Sequence, residues 1–119
     1  MNYAIKGTDL AITAEIRSYV EKRLGGMDKF APTTSRVDVE VAYEAQYDGP
    51  QYRAECMYHE PGEELVRTEA RGTTLHEAID LASGELTRTV GARKKKNLQV
   101  VRRAAVKVKE YLRGWRDSI

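Results

Sequence analysis

The residues in this chain best suited to chemistry are cations. Arg93-Lys94-Lys95-Lys96 stand in a row, Arg88 precedes them, and Arg102-Arg103 follow. Fixed positive charge at this density suits phosphate. Each phosphate neutralised releases condensed counterions, so such a surface takes polyanions with a steep salt dependence. No acidic residue falls between Glu85 and Glu110 to relieve the run locally, and an unrelieved excess repels itself. On a continuous helix Arg88, Lys95, Arg102 and Lys109, each seven apart, stack as one stripe; Lys96 and Arg103 form a neighbouring stripe that Lys107 extends. Between Val90 and Leu98 the sole apolar side chain is Ala92. That segment has nothing to bury, and it is expected to project beyond the core with all four consecutive cations exposed.

Other constellations carry less. His59 and His76 fall on different elements, with no Cys or Asp at metal-ligand spacing. Glu63-Glu64 lies in a turn, where acidic pairs are usually solvated. No glycine-rich phosphate loop follows a strand, and no nucleophile elbow is present. Cys56 reads as a small half-buried thiol in a strand, and a single cysteine excludes an internal disulfide. Catalysis, a metal and a cofactor are therefore not expected. No apolar run has the length of a membrane span or a signal segment, so a cytoplasmic protein with no membrane contact is expected.

The elements that must position the cations follow from patterning. A chain of 119 residues, 41% apolar and 32% charged, suits one folded domain. Its net charge of +2 is unevenly spread. Residues 1–80 hold 9 Lys and Arg against 15 Asp and Glu, and residues 81–119 hold 11 against 3. A polyanion-facing C-terminal part joined to an acidic remainder is implied. Residues 2–7 read as a short strand ending at Gly7. Ile16, Tyr19, Val20, Leu24 and Met27 have helical spacing, with Thr13 placed to cap and Gly25-Gly26 to end the helix. Val37, Val39, Val41 and Tyr43 alternate with Asp38, Glu40, Ala42 and Glu44, predicting a strand with one buried and one acidic face. Turn chemistry at Asp48-Gly49-Pro50 and at Pro61-Gly62 separates two further strands, 52–60 and 65–72. After Gly72, Thr73 or Thr74 caps a long helix, with Glu77 completing a capping box. Leu75, Ala78, Ile79, Ala82, Leu86 and Val90 form its inward stripe. The order β-α-β-β-β-α predicts an α+β two-layer sandwich: a three-strand antiparallel meander plus an N-terminal strand, with two helices on one face.

Residues 97–119 are expected to form a separate basic amphipathic helical tail after the 1–96 domain. Leu98, Val101, Ala105, Val108, Leu112 and Trp115 step by threes and fours, an apolar seam suited to packing on its own domain, on a partner or second copy, or on a membrane interface, the first two favoured by its shallow apolar face. The helix reaches this tail only if it survives Gly91 and Asn97.

Several of these residues together resemble a known family. Ile5-x-Gly7, Thr13 with Ile16 and Arg17, Gly72, Ala78-Ile79-Asp80 and Leu86-x-Arg88, in that order over about residues 1–96, are similar to short-form ribosome hibernation-promoting factors, also called ribosome-associated inhibitors or sigma-54 modulation proteins. The resemblance implies the same β-α-β-β-β-α fold, similar to a double-stranded-RNA-binding domain, binding to small-subunit ribosomal RNA in the mRNA and tRNA channel, and a cytoplasmic, stress-linked block of translation by occupancy. It carries the family's helix cations onto Lys22 and Arg23, onto Arg88, and onto Arg93, Lys94, Lys95 and Lys96. Lys29, Arg102 and Arg103 complete the expected RNA-binding set. Glu85 stands where relatives often have Lys, and Gly84 and Gly91 interrupt a helix that relatives fill with better helix formers. The tail after residue 97 lies outside the shared motif. Two alternatives stay open: a general double-stranded-RNA module, and an interaction protein docking through its C-terminal amphipathic helix.

Overall fold

The computed structural model describes the backbone of residues 1–117 and side chains through Gly114. Strand β1 (Asn2–Thr8) leads into helix α1 (Ala14–Leu24) and a short 3-10 helix (Gly25–Lys29). Strands β2 (Arg36–Tyr43), β3 (Tyr52–His59) and β4 (Val66–Gly72) follow, and helix α2 (Leu75–Asp117) completes the chain. The sheet order is β1-β2-β3-β4, with β1 parallel to β2 and the remaining pairs antiparallel. The register sets Ile5, Val39, Cys56 and Thr68 in one row across the sheet. Both helices cover that face, where Val20 and Leu24 of α1 and Ile79, Leu86 and Val90 of α2 close over Val37, Val39, Val41 and Tyr58. Thr68 Oγ1 donates to the carbonyl of Ala82 at 2.8 Å, tying β4 to α2. The expected α+β two-layer architecture is the one observed.

Local chemistry accounts for the boundaries. Thr13 Oγ1 accepts from the Ile16 N–H at 3.2 Å, capping α1. The helix stops at Leu24, and Gly25-Gly26 pass into the 3-10 turn that buries Met27. At α2, Thr74 Oγ1 accepts from the Glu77 N–H at 3.1 Å, while the Glu77 carboxylate accepts from the Thr73 hydroxyl at 3.0 Å. The two threonines thus share the capping box between them. In β2 the expected alternation holds to Val41, but Ala42 is buried as well. The reason is Arg53, which donates to Glu40 and Glu44 on either side of Ala42 and so lies across it.

Helix α2 survives both Gly91 and Asn97 and continues through residues 97–117 without a break. Its 43 residues make a rod of about 65 Å at 1.5 Å per residue. The molecule measures 74 × 27 × 19 Å, so the last half of the rod extends beyond the body. Gly91 faces Phe30, and an added Cβ would sit 3.7 Å from the ring, an ordinary contact. Gly91→Ala is therefore expected to raise stability by about 1 kcal/mol through helix propensity. A thermal melt a few degrees higher checks this; an unchanged or lower one denies it.

Candidate nucleic-acid interface

Ion pairing divides the surface into two characters. On the open face of the sheet, Lys6, Arg53, Arg67 and Arg71 interleave with Glu40, Glu44, Glu55 and Glu69 in one network, and Arg36 pairs separately with Asp38. Hydrogen bonds from Arg53 hold the carboxyls of Glu40 and Glu44 below their ordinary value. This face is balanced, and it has no charge to spare for a polyanion. The helical layer differs. Among the described residues, Arg17, Lys22, Lys29, Arg88, Lys95, Lys96, Arg102, Arg103, Lys107 and Lys109 are exposed, and none of them belongs to an ion pair, while Arg23 is spent on Asp80 at 2.9 Å.

The packing of α1 on α2 gathers part of this set. Tyr19 donates to Asp80 at 2.5 Å and stacks edge-on against His76, with ring centroids 4.4 Å apart. These contacts fix the end of α1 beside the first turns of α2. The 3-10 helix then runs on beside α2, with Phe30 at Gly91. Lys22 accordingly stands near the first turns of α2, Arg88 lies about two turns further along the helix, and Lys29 precedes Phe30, which meets α2 at Gly91. Arg88 lies back over Gly84, its Nη1 only 3.5 Å from where a Cβ would be. Lys95 and Lys96 follow on the rod, and Arg102 and Arg103 lie further out.

The four consecutive cations are not all exposed, in contrast to the sequence expectation. Arg93 and Lys94 turn back onto the acidic turn between β3 and β4. Arg93 Nη1 donates to the Glu64 carbonyl at 2.7 Å, and its Nε lies 4.0 Å from Glu63. Its guanidinium also sits 5.8 Å from the Tyr58 ring centroid. Lys94 pairs with Glu60, and Asn97 Nδ2 donates to Glu63 at 3.3 Å. The physical reason is helical register. Ile79, Leu86 and Arg93 are each seven apart, as are Val90 and Asn97, so the inward stripe continues into polar residues where the sheet ends and its acidic turn begins. Arg17, Lys107 and Lys109, absent from the expected RNA-binding set, are exposed on the same layer; for Lys107 and Lys109 the seven-residue stripes were already the signal.

The contact between α2 and the turn acts as a clasp that sets where the rod points. Burial alone would raise the Glu60 carboxyl, but hydrogen bonds from Lys94 and Tyr58 outweigh it and hold that group below 4.5. A depressed carboxyl stabilises the fold fully above its unfolded value, and the contribution is lost as the pH falls through the lower folded value. Melting temperature should thus be flat near neutrality and decline below about pH 4.5. Glu60→Gln should cost about 2 kcal/mol at pH 7, because Lys94 is left half-buried without its counter-charge, and should remove much of that acid sensitivity. Urea melts of both proteins across pH check this.

Among the described residues nothing else resembles a reactive centre. Burial pushes the Cys56 thiol up to about 12, so it carries no thiolate near neutrality. Burial and the hydrogen bond to Glu60 likewise push the Tyr58 hydroxyl up to about 12. Among the described residues no three His, Cys, Asp or Glu side chains converge as a metal site needs, and no helix is long and apolar enough to cross a membrane.

The arrangement has known counterparts. The chain is 34% identical to the N-terminal domain of Protein Y from Thermus thermophilus, whose crystal structure superposes with a TM-score of 0.66 over 76% of this chain and 96% of that one. A ribosomal subunit interface protein from Coxiella burnetii has the same fold at 16% identity, with a TM-score of 0.62 over 80% of this chain and 99% of that one. The ribosome hibernation promotion factor of Bacillus subtilis (strain 168) is 28% identical over 97 residues. That match takes in 81% of this chain, which spans half the length of that relative. The sequence profile of the sigma 54 modulation protein / S30EA ribosomal protein family matches residues 3–98, from β1 through the clasp to the first residue of the seam, and the chain belongs to that family.

Proposed function

We propose that the chain is a ribosome-binding protein, not an enzyme, that silences translation by occupying the small subunit in the channel used by mRNA and tRNA. The observation that carries this is the division of charge: a self-neutralised sheet face, opposed by a helical layer whose cations at Lys22, Lys29, Arg88, Lys95 and Lys96 are exposed and free of ion pairs. Family membership and the names of the relatives point to the ribosome as the bearer of the matching phosphates. In this mechanism the cations hold the ribosomal RNA backbone while the folded body excludes the translational ligands. Recognition rests on shape and phosphate geometry, as with structured RNA generally. Arg23, Arg93 and Lys94 serve mainly to position the layer, through Asp80 and the acidic turn, and Arg102 and Arg103 extend its reach. The domain at 1–96 supplies the grip, and residues 97–117 are an arm on the same helix. A cytoplasmic location accords with family membership and with this role. Competition binding tests the reading: small subunits should bind much more tightly than free duplex RNA of equal mass concentration. Equal affinity for the two would identify a general duplex-RNA module instead.

A further inference from the structure

The outer part of α2 has a second surface that RNA binding leaves unused. From Lys95 to Gly114 every residue is exposed, a length of about 30 Å. Leu98, Val101, Val108 and Leu112 are each about half exposed or more, up to 64% at Val101. With Ala105 they form a seam stepping by threes and fours; Trp115, its next member by spacing, lies outside the described side chains. Val100, Val106 and Tyr111 are exposed off this line, but only the seam runs unbroken at three- and four-residue steps, and single helices gain most of their stability from packing such a face.

The structure fixes which way the seam looks. Lys94 is the preceding member of the same pattern, four residues before Leu98, and it reaches Glu60 on the turn after β3. The seam therefore faces the side on which the end of the sheet stands, and rod and turn enclose a corner. A flat surface such as a bilayer meets the body before it meets the seam; a slender element fits. Charge decides what kind. Lys95, Arg102 and Lys109 line one edge of the seam at heptad spacing, the positions that pair across a coiled coil. Residues 95–114 hold seven Lys and Arg against one Glu. A second copy running antiparallel would set this cationic edge against itself, and a parallel copy would leave it unmatched beside Ala104 and Tyr111. Nucleic acid would satisfy the cations but not the apolar line.

We propose that residues 98–112 dock along an acidic amphipathic helix of a partner protein, with Leu98, Val101, Ala105, Val108 and Leu112 against its apolar stripe. Carboxylates at heptad spacing on that partner pair with Lys95, Arg102 and Lys109. Lys96 and Arg103, on the opposite side of the rod, stay free for phosphate. The apolar seam is no part of the ribosome reading, but Lys95 and Arg102 are shared with it, so the peptide and the small subunit compete for those two cations; the seam variants leave both cations in place and keep the two readings distinguishable.

The test uses the full chain and a synthetic four-heptad peptide with Leu at the core positions and Glu at the flanking ones, followed by fluorescence anisotropy. One-to-one binding is expected, weakening as salt rises. Val101→Asp with Leu112→Asp should reduce it at least roughly thirtyfold while small-subunit binding is unchanged. The proposal is overturned if the peptide does not bind, or if a peptide with Ser at the core positions binds equally well. It is also overturned if the same double variant abolishes self-association or anionic-vesicle binding stronger than peptide binding.

Discussion

Lys22→Glu, Arg88→Glu, Lys95→Glu and Lys96→Glu combined are expected to abolish co-sedimentation with small ribosomal subunits, a loss of at least about a hundredfold in affinity. All four side chains are exposed and none takes part in an ion pair, so the reversal removes attraction and adds repulsion without dismantling any contact in the body. The melting temperature should stay within a few degrees, since surface changes of this kind seldom exceed about 0.5 kcal/mol each. Arg23, Arg93 and Lys94 are left out deliberately. Reversing them would set like charges against Asp80, Glu60 and Glu63, and lost binding could then reflect a displaced rod. Lys6→Glu is the matched control: it lies on the sheet face, where its partner is Glu40, and binding should not change. Retention of binding in the fourfold variant would move the interface off the helical layer.

Gly7→Ala is expected to be the most damaging single methyl group that can be added to the fold, costing about 3 kcal/mol and some 12 to 24 °C in melting temperature. After β1 the chain turns back sharply, with Asp9 at a φ of 54°, a conformation Asp tolerates better than most residues. The turn drops the Leu10 carbonyl onto Gly7, so a Cβ there would lie 2.1 Å from that oxygen. Nothing flexible can yield, because the obstacle is backbone. Moving it would shift Ile12 and the Thr13 cap that start α1. Gly72 is a milder version, with an added Cβ 2.7 Å from the Ala78 nitrogen at the start of α2. By contrast Gly91→Ala should stabilise. Thermal melts of the three variants should therefore order them Gly7 lowest, then Gly72, then Gly91 above the parent protein.

These glycines show how far the sequence could be read. Gly7 and Gly72 stood out by position at the ends of predicted strands, and the family pattern includes both. That each is required by a backbone turn folding back on it within a few residues, at Leu10 for Gly7 and at Thr74 to Ala78 for Gly72, depends on the path of the chain and has no signature in residue type. Strand and helix placement was legible because the apolar periods of β2 and of α2 through Val90 are long and clean. The fate of Arg93 and Lys94 was half legible. The seven-residue step from Leu86 to Arg93 already pointed that side chain inward, but composition suggested a run with nothing to bury. Only the position of the turn bearing Glu60, Glu63 and Glu64, thirty residues earlier, shows what the stripe meets. Likewise the burial of Ala42 depends on Arg53 reaching across a strand, which alternation cannot foresee.

The most direct test of the central claim is equilibrium binding of the purified chain to small ribosomal subunits over a range of monovalent salt. If the helical layer grips RNA phosphates, log affinity falls linearly with log salt, with a slope of about 0.7 to 0.9 per phosphate contact. Four or more contacts then give a slope near three or steeper, and Lys95→Glu alone reduces it by about one. An affinity that does not change with salt, or a slope untouched by Lys95→Glu, would contradict the account.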